Sequence, residues 1–289
     1  MRLEGQVAIV TGVSHAGQVG YALAAAFARE GALLAISARS PERVNARAQE
    51  LHAQGVSVIG IPADLTTEDG AHTLIQGTLA AYGRINILVN LAGGLTKYRP
   101  SDELTLTEWD LELNNNLRSA FLCTRAIWPI MKSQGGGKIL NFSRAGGAQS
   151  SQPMMLAYNC AKAGIDALTS TLAKEGKELG ISVNALGPGL ITTQANIDSM
   201  KPSQEEIRTT WVSLENIMEA SDFPGDTCRR WGEWCCSPCP GKRNMMKEKR
   251  YVNNSYRWIS TWHLCLQRCR NHRFCRPIWR LFGGTSFRP

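Results

Sequence analysis

Short apolar runs alternate with longer amphipathic stretches along most of this chain. The runs at 7–11, 33–37, 56–61, 85–90, 138–142 and 181–186 are each bounded by Gly, Pro, Asn or other polar residues, the pattern of buried strands. Between them, 21–30, 41–54, 67–82, 107–133 and 158–179 have helix-forming composition, and Pro41 stands where the first turn of a helix tolerates proline. Regular alternation of strand and helix predicts an α/β fold with a doubly wound parallel sheet. Ligands bind such sheets beyond the carboxyl ends of the strands, so the chemistry is expected there.

Composition refines this picture in two ways. With 43% hydrophobic and 19% charged residues over 289 positions, the chain can build a large core, which excludes disordered and collagen-like classes. No run approaches the roughly 20 apolar residues of a membrane span, and residues 1–5 lead into a strand without a signal-peptide apolar region, so a soluble, cytoplasmic protein with no membrane partner is expected. The net charge of +8 is unevenly placed: residues 1–223 carry 18 basic against 21 acidic side chains, whereas 224–289 carry 14 against 3. The latter stretch also holds seven of the nine Cys and five of the eight Trp, and has no Ala. Two regimes share one chain, which predicts a domain at 1–223 and a separate tail at 224–289. Only Cys123 and Cys160 precede Cys228, too few for a disulfide scaffold.

Candidate chemistry begins where the first strand ends, in Thr11, Gly12, Ser14, Gly17 and Gly20. Glycines there let the backbone approach a pyrophosphate facing the next helix. A nucleotide-hydrolase phosphate loop needs Lys and then Ser or Thr after the second glycine and finds Gln18 and Val19. A plain glycine-rich turn stays open on this loop alone. Tyr158 and Lys162 stand four apart on a predicted helix, where an ammonium can favour a phenolate and make the phenol a general acid or base.

Together these residues resemble the short-chain dehydrogenase/reductase family from about residue 3 to about 195. Thr11 and Gly12 with Gly17 and Gly20 resemble its cofactor loop, Asp64-Leu65 follows the third strand, and Asn90-Leu91-Ala92-Gly93 is similar to its fourth-strand motif. Asn116 resembles the Asn that completes the catalytic tetrad with Ser, Tyr158 and Lys162, and Pro188, Gly189 and Thr193 resemble the nicotinamide-side loop. The resemblance implies a Rossmann-type domain, a nicotinamide cofactor, a small carbonyl or alcohol as substrate, and a homo-oligomer.

Three departures stand out. The glycines of the first loop span two residues more than the usual spacing, and Leu91 replaces the second Asn of the fourth-strand motif. After the fifth strand the family commonly has Asn, an aliphatic residue and two Ser, the second catalytic, whereas this chain reads Asn141-Phe142-Ser143-Arg144. A one-residue slip reverses the face of a strand, so Ser143 reaches the site only if a bulge or the turn at Gly146-Gly147 redirects it. These departures keep a rival open, a nucleotide-binding protein of this fold without turnover.

Cofactor choice turns on the end of the second strand. An NAD enzyme places an acid there for the ribose 2′-hydroxyl, and none occurs before Glu42, whereas Arg39 with Ser40 suits a 2′-phosphate. NADP is therefore expected ahead of NAD, with a solvated arginine as the alternative. In the tail, Cys236 and Cys239 have the spacing of a zinc ligand pair, but the second half does not repeat it and six aliphatic residues make a poor core, so no metal is expected. No nucleic-acid-binding motif accompanies its charge, so no nucleic-acid partner is expected either. The family's ending is not readable after about residue 223, and a one-nucleotide shift across 267–280 lets the codons spell Ser-Asp, Ile-Thr-Gly and Gly-Gly in the family's order. The tail therefore reads as out-of-frame or otherwise foreign sequence, with an aliphatic content too low to offset the cost of ordering it.

Overall fold

The computed structural model describes residues 1–145, 151–210 and 212–213. The tail from 224 and the turn at Gly146-Gly147 lie outside the described residues. Six parallel strands form one sheet: β1 Val7–Thr11, β2 Leu33–Ala38, β3 Val58–Pro62, β4 Ile87–Asn90, β5 Gly137–Phe142 and β6 Ile181–Leu186. Their spatial order is β3-β2-β1-β4-β5-β6. The order reverses between β1 and β4, where a doubly wound sheet opens its ligand crevice.

Among the described residues, eight α-helices connect or follow the strands: α1 Val19–Arg29, α2 Pro41–Ala53, α3 Glu68–Tyr82, α4 Leu106–Leu113, α5 Ser119–Ser133, α6 Leu156–Gly176, α7 Gln194–Met200 and α8 Gln204–Thr210. Ile9, Ala35, Leu88 and Ile139 of the sheet pack with Leu74 and Ile75 of α3, Ile127 and Met131 of α5, and Leu172 of α6 in one core. Ala8, Val10, Leu34 and Ile36 alternate with them, point the other way and are fully buried, beside α1 with its buried Leu23 and Phe27. The expected three-layer α/β/α sheet is what the chain forms.

Element ends depart from the sequence reading for local reasons. β3 starts at Val58 because the Val56 amide still donates to Leu51 O at the end of α2, and β4 starts at Ile87 because the Ile85 amide donates to Gln134 Oε1. The single helix expected at 107–133 is two helices joined by a π-helical turn at Asn114–Arg118. The helix expected from 158 begins at Leu156, which puts Tyr158 in its first turn.

A buried polar network joins the carboxyl ends of two central strands to the helices beside them. Asn90 Nδ2 donates to Asn141 Oδ1 at 2.9 Å and to Thr124 Oγ1 at 3.1 Å, and Asn141 Nδ2 donates to Thr169 Oγ1 at 2.8 Å. Asn90→Ala should leave Asn141 Oδ1 and Thr124 Oγ1 without this donor in a dry site, at about 1 to 3 kcal/mol for each unsatisfied group. A urea denaturation midpoint unchanged by that substitution would contradict the network's role.

Candidate active site at the carboxyl ends of the strands

The loop between β1 and α1 holds its backbone against β4. Thr11 Oγ1 donates to Val89 O at 3.1 Å and accepts from the Leu91 and Ala92 amides at 2.9 Å each, so this hydroxyl fixes where β4 ends. Gly12 has φ +78, and a Cβ on it would lie 3.0 Å from Ala92 Cα. Gln18, the residue before α1, makes no side-chain cap and the first turn of α1 has no acid, which leaves the positive end of the helix without a side-chain acceptor or counter-charge from its own turn.

The segment after β4 is shaped around Asn116. Its Oδ1 accepts from the Gly94 amide at 3.0 Å, and its Nδ2 donates to Gly94 O and Glu112 O at 3.0 Å and to Glu112 Oε2 at 3.2 Å. Gly93 takes φ +125, and a Cβ there would lie 2.6 Å from Asn116 Oδ1, so only glycine fits. The π turn at 114–118 places Asn116 in this position, 1% exposed.

Tyr158 and Lys162 occupy successive turns of α6, with Lys162 Nζ 5.5 Å from the Tyr158 ring centroid. Lys162 is 5% exposed, and Nζ donates to Phe142 O at the end of β5 at 2.8 Å. Burial pulls its pKa down to about 8, against the opposing charges of Asp166 and Glu112. Burial pushes the Tyr158 phenol up, Arg144 pulls it down, and Glu112 and Tyr98 push it up. Arg144, after β5, is the cation that pulls the phenol down here.

The Ser143 amide donates to Leu186 O at 2.9 Å, so pairing with β6 continues one residue beyond β5 without a bulge, while the turn at Gly146-Gly147, the other expected route, lies outside the described residues. Ser143 Oγ is nonetheless buried and has no hydrogen-bond partner, an orphaned polar atom at a strand end of the kind that awaits a ligand. Arg144 Nη1 donates to Asn159 Oδ1, and the Ala145 amide donates to Pro188 O at 3.0 Å, which ties the end of β5 to the loop after β6.

Several expected contact residues are engaged in the fold instead of open to a ligand. Asn90 points its amide into the core network, and Leu65 packs its side chain with Leu74 and Ile75, leaving only backbone for a ligand. Ser40 caps α2 by accepting from the Arg43 amide and donates to Glu42, and Thr193 caps α7 through the Asn196 amide. Asp64 Oδ1 accepts from Thr66 Oγ1 and the Thr66 amide, which with the nearby Arg39 charge holds its carboxyl below the usual range. Arg39 is exposed and makes no hydrogen bond or ion pair among the described residues.

The model of the short chain dehydrogenase family matches residues 6–204. The chain belongs to the short-chain dehydrogenase family. It is 37% identical over 196 residues to a (2S)-[(R)-hydroxy(phenyl)methyl]succinyl-CoA dehydrogenase subunit of Thauera aromatica, covering 67% of this chain and 76% of that protein. It is 36% identical over 192 residues to a 3-oxoacyl-[acyl-carrier-protein] reductase of Synechocystis, covering 66% and 76%. The crystal structure of gox2181 superposes with a TM-score of 0.70 at 26% identity, over 76% of this chain and 88% of that one.

This short-chain dehydrogenase is an oxidoreductase of a family that binds NAD(P). Its residues fit such a group: the uncapped start of α1, the close approach of Gly12 to Ala92, the unpaired Arg39 and the orphaned Ser143 Oγ all lie at carboxyl ends of strands. Two site residues escaped the sequence reading as contributors. Glu112 was legible as an acid one helical turn before Asn116, and Arg144 as a cation where the family has a hydroxyl.

The depressed Lys162 pKa carries a stability consequence. An ammonium whose pKa falls from 10.5 to about 8 on folding binds fewer protons in the native than in the unfolded state between those values. Native stability should therefore rise with pH from about 8 toward 10.5, with the burial penalty carried in full below about 8. Lys162→Met should remove that rise. Urea midpoints across the window, compared between parent and variant, read the difference, and parallel curves would refute it.

Proposed function

We propose that this protein interconverts a carbonyl and an alcohol with NADP(H), with Tyr158 as the proton donor in the reducing direction. The observation that carries the reading is the pairing of Tyr158 and Lys162 on successive turns of α6 beside the end of β5. When bound, the nicotinamide cofactor supplies the hydride. Tyr158 gives its proton to the carbonyl oxygen; with its pKa raised by burial, the phenol is in the donating form at neutral pH. Lys162 restores that proton and would hold the nicotinamide ribose once its Nζ leaves Phe142 O. Asn116 fixes the segment after β4, and Ser143 Oγ, free of protein partners, would polarise the carbonyl. Gly12, Ser14 and Gly17 would face the pyrophosphate, with Gly20 buried against Gly12 O where a Cβ would come within 2.6 Å; Asp64, the Leu65 backbone, Ala92 and Gly93 would line the adenine and its ribose, and Pro188, Gly189 and the Thr193 backbone the nicotinamide.

Tyr158→Phe should keep the fold and lower carbonyl-dependent NADPH consumption by roughly 10² to 10⁴, the range for losing a general acid. Parent-like rates in that variant would reject the assignment. The rival, a protein that binds nucleotide without turnover, is favoured by Arg144 standing where the family has its hydroxyl, and absence of turnover over a panel of ketones and aldehydes would select it.

Arg39 supports NADP over NAD because it is a free guanidinium at the end of β2 with no acid in the NAD-selecting position. Arg39→Ala should weaken NADPH binding roughly 10- to 150-fold and leave NADH nearly unchanged, the value of one charge-assisted phosphate contact. Fluorescence titration of both cofactors reads this, and equal losses would reject it.

A further inference from the structure

Among the described residues, two acidic or basic side chains are buried, Lys162 and Glu112. Lys162 belongs to the proposed chemistry. Glu112 has no part in it, yet at 3% exposure on α4 it sits against the helix that carries the Tyr158 and Lys162 pair. A carboxylate in such a place is costly unless its oxygens are fully used, and here they are.

The two oxygens reach different elements. Oε1 accepts from the Thr96 amide at 2.5 Å, from Thr96 Oγ1 and from the Lys97 amide at 3.4 Å, all in the loop after β4. Oε2 accepts from Asn116 Nδ2 at 3.2 Å, in the π turn. Four donors converge on one carboxyl group, the arrangement that suits an acceptor-only carboxylate. Thr96, Lys97, Glu112 and Tyr158 line one cavity with Met154 and Met155 at the start of α6, so the clamped loop forms a wall beside the phenol.

The same carboxylate faces the reacting pair electrostatically. The groups acting on Tyr158 are Arg144 after β5, Glu112 on α4 and Tyr98 in the clamped loop. Those acting on Lys162 are Asp166, one turn further along α6, and again Glu112. Glu112 is the group common to both.

We propose that Glu112 is a positioning residue of this site: its buried carboxylate clamps the loop after β4 to the turn bearing Asn116, holding that loop beside the phenol, and sets the field in which Tyr158 and Lys162 exchange protons. The proposal rests on the reading of Tyr158 and Lys162 as the working pair. It makes Glu112 opposed to Arg144: the acid keeps the phenol protonated and the ammonium charged, and the guanidinium does the reverse to the phenol.

Two measurements test this without requiring turnover, so a protein that proves inactive would sink the carbonyl-reductase reading and still decide this one. The first is the titration of Tyr158, followed by magnetic resonance with carbon-labelled tyrosine Cζ and assigned by the signal missing in Tyr158→Phe. Glu112→Gln should move that titration to lower pH, because one of the groups opposing Arg144 is then removed, whereas Glu112→Asp, which keeps the charge, should not. A purely structural acid would destabilise both variants and leave the titration in place. An unmoved or raised titration in folded Glu112→Gln would overturn the field role.

The second uses the unsubstituted protein and survives any folding failure of the variants. Thr96 is exposed and lies in a loop, yet its amide should exchange with solvent slowly, by about tenfold or more relative to an unbonded amide for one charge-assisted bond. Free exchange at Thr96 would overturn the clamp. Where turnover is present, the limb of the pH profile that follows the Tyr158 titration should shift down in Glu112→Gln together with it.

Discussion

Holding the ammonium of Lys162 in the interior carries a desolvation cost, and the neighbouring elements are arranged around it. Lys162 is buried on α6 with one hydrogen bond, to the carbonyl of Phe142. That bond is available because β5 ends there and Phe142 O is directed at α6. The ring of Tyr158 lies beside Nζ, and the charges of Asp166 and Glu112 oppose the loss of its proton. The net result is still a depressed pKa, so burial outweighs these partners. A group held this far from its preferred state gives up its proton more readily than an exposed lysine, which suits the role proposed for it behind the phenol.

The acid that balances this charge explains a feature otherwise hard to place, the interruption of one long helix by a π turn. A regular helix from 106 to 133 would carry Asn116 on a different azimuth from the one it takes. The extra residue in the turn swings its amide onto Gly94 and brings Nδ2 to both the carbonyl and the carboxylate of Glu112. Gly93 is then a steric necessity, since any side chain would meet Asn116 Oδ1 at 2.6 Å. Loop, turn and acid form one unit, so a change at any of the three should be felt at the others.

How much of this was legible depends on which interactions are local. The strands announced themselves because both faces are buried and the runs are apolar, and the ends misread by two residues, at Val58 and Ile87, are those where a neighbouring helix or side chain takes the amide first. The spacing of Tyr158 and Lys162 is a helical fact visible in the sequence. The partner of Lys162 is not, because it comes from β5, twenty positions away. For the same reason Asn90 and Thr11 read as ligand contacts: their strand-end positions are visible in sequence, but the cross-strand bonds that occupy their side chains are tertiary. Ser143 was open in sequence because its direction depends on the ladder. Continued pairing to Leu186 removes the bulge, while burial without a partner leaves its hydroxyl available.

The two charged side chains acting on Tyr158, Arg144 and Glu112, do so in opposite senses. Arg144, standing where the family has its hydroxyl, stabilises phenolate and so favours a base, whereas burial and Glu112 stabilise the neutral phenol and so favour an acid. Burial is the largest influence, so the resting phenol is raised and holds its proton. Reduction of a carbonyl needs that protonated form at the start of the cycle; oxidation of an alcohol needs the phenolate. With Lys162 turned toward Phe142 O, the resting geometry is set for donation. A move of Nζ away from that carbonyl and toward the phenol would lower the cost of the phenolate left after the proton is given. In the arrangement seen, the strand-end carbonyl of Phe142 is the partner of the ammonium, and the buried phenol beside it holds its proton.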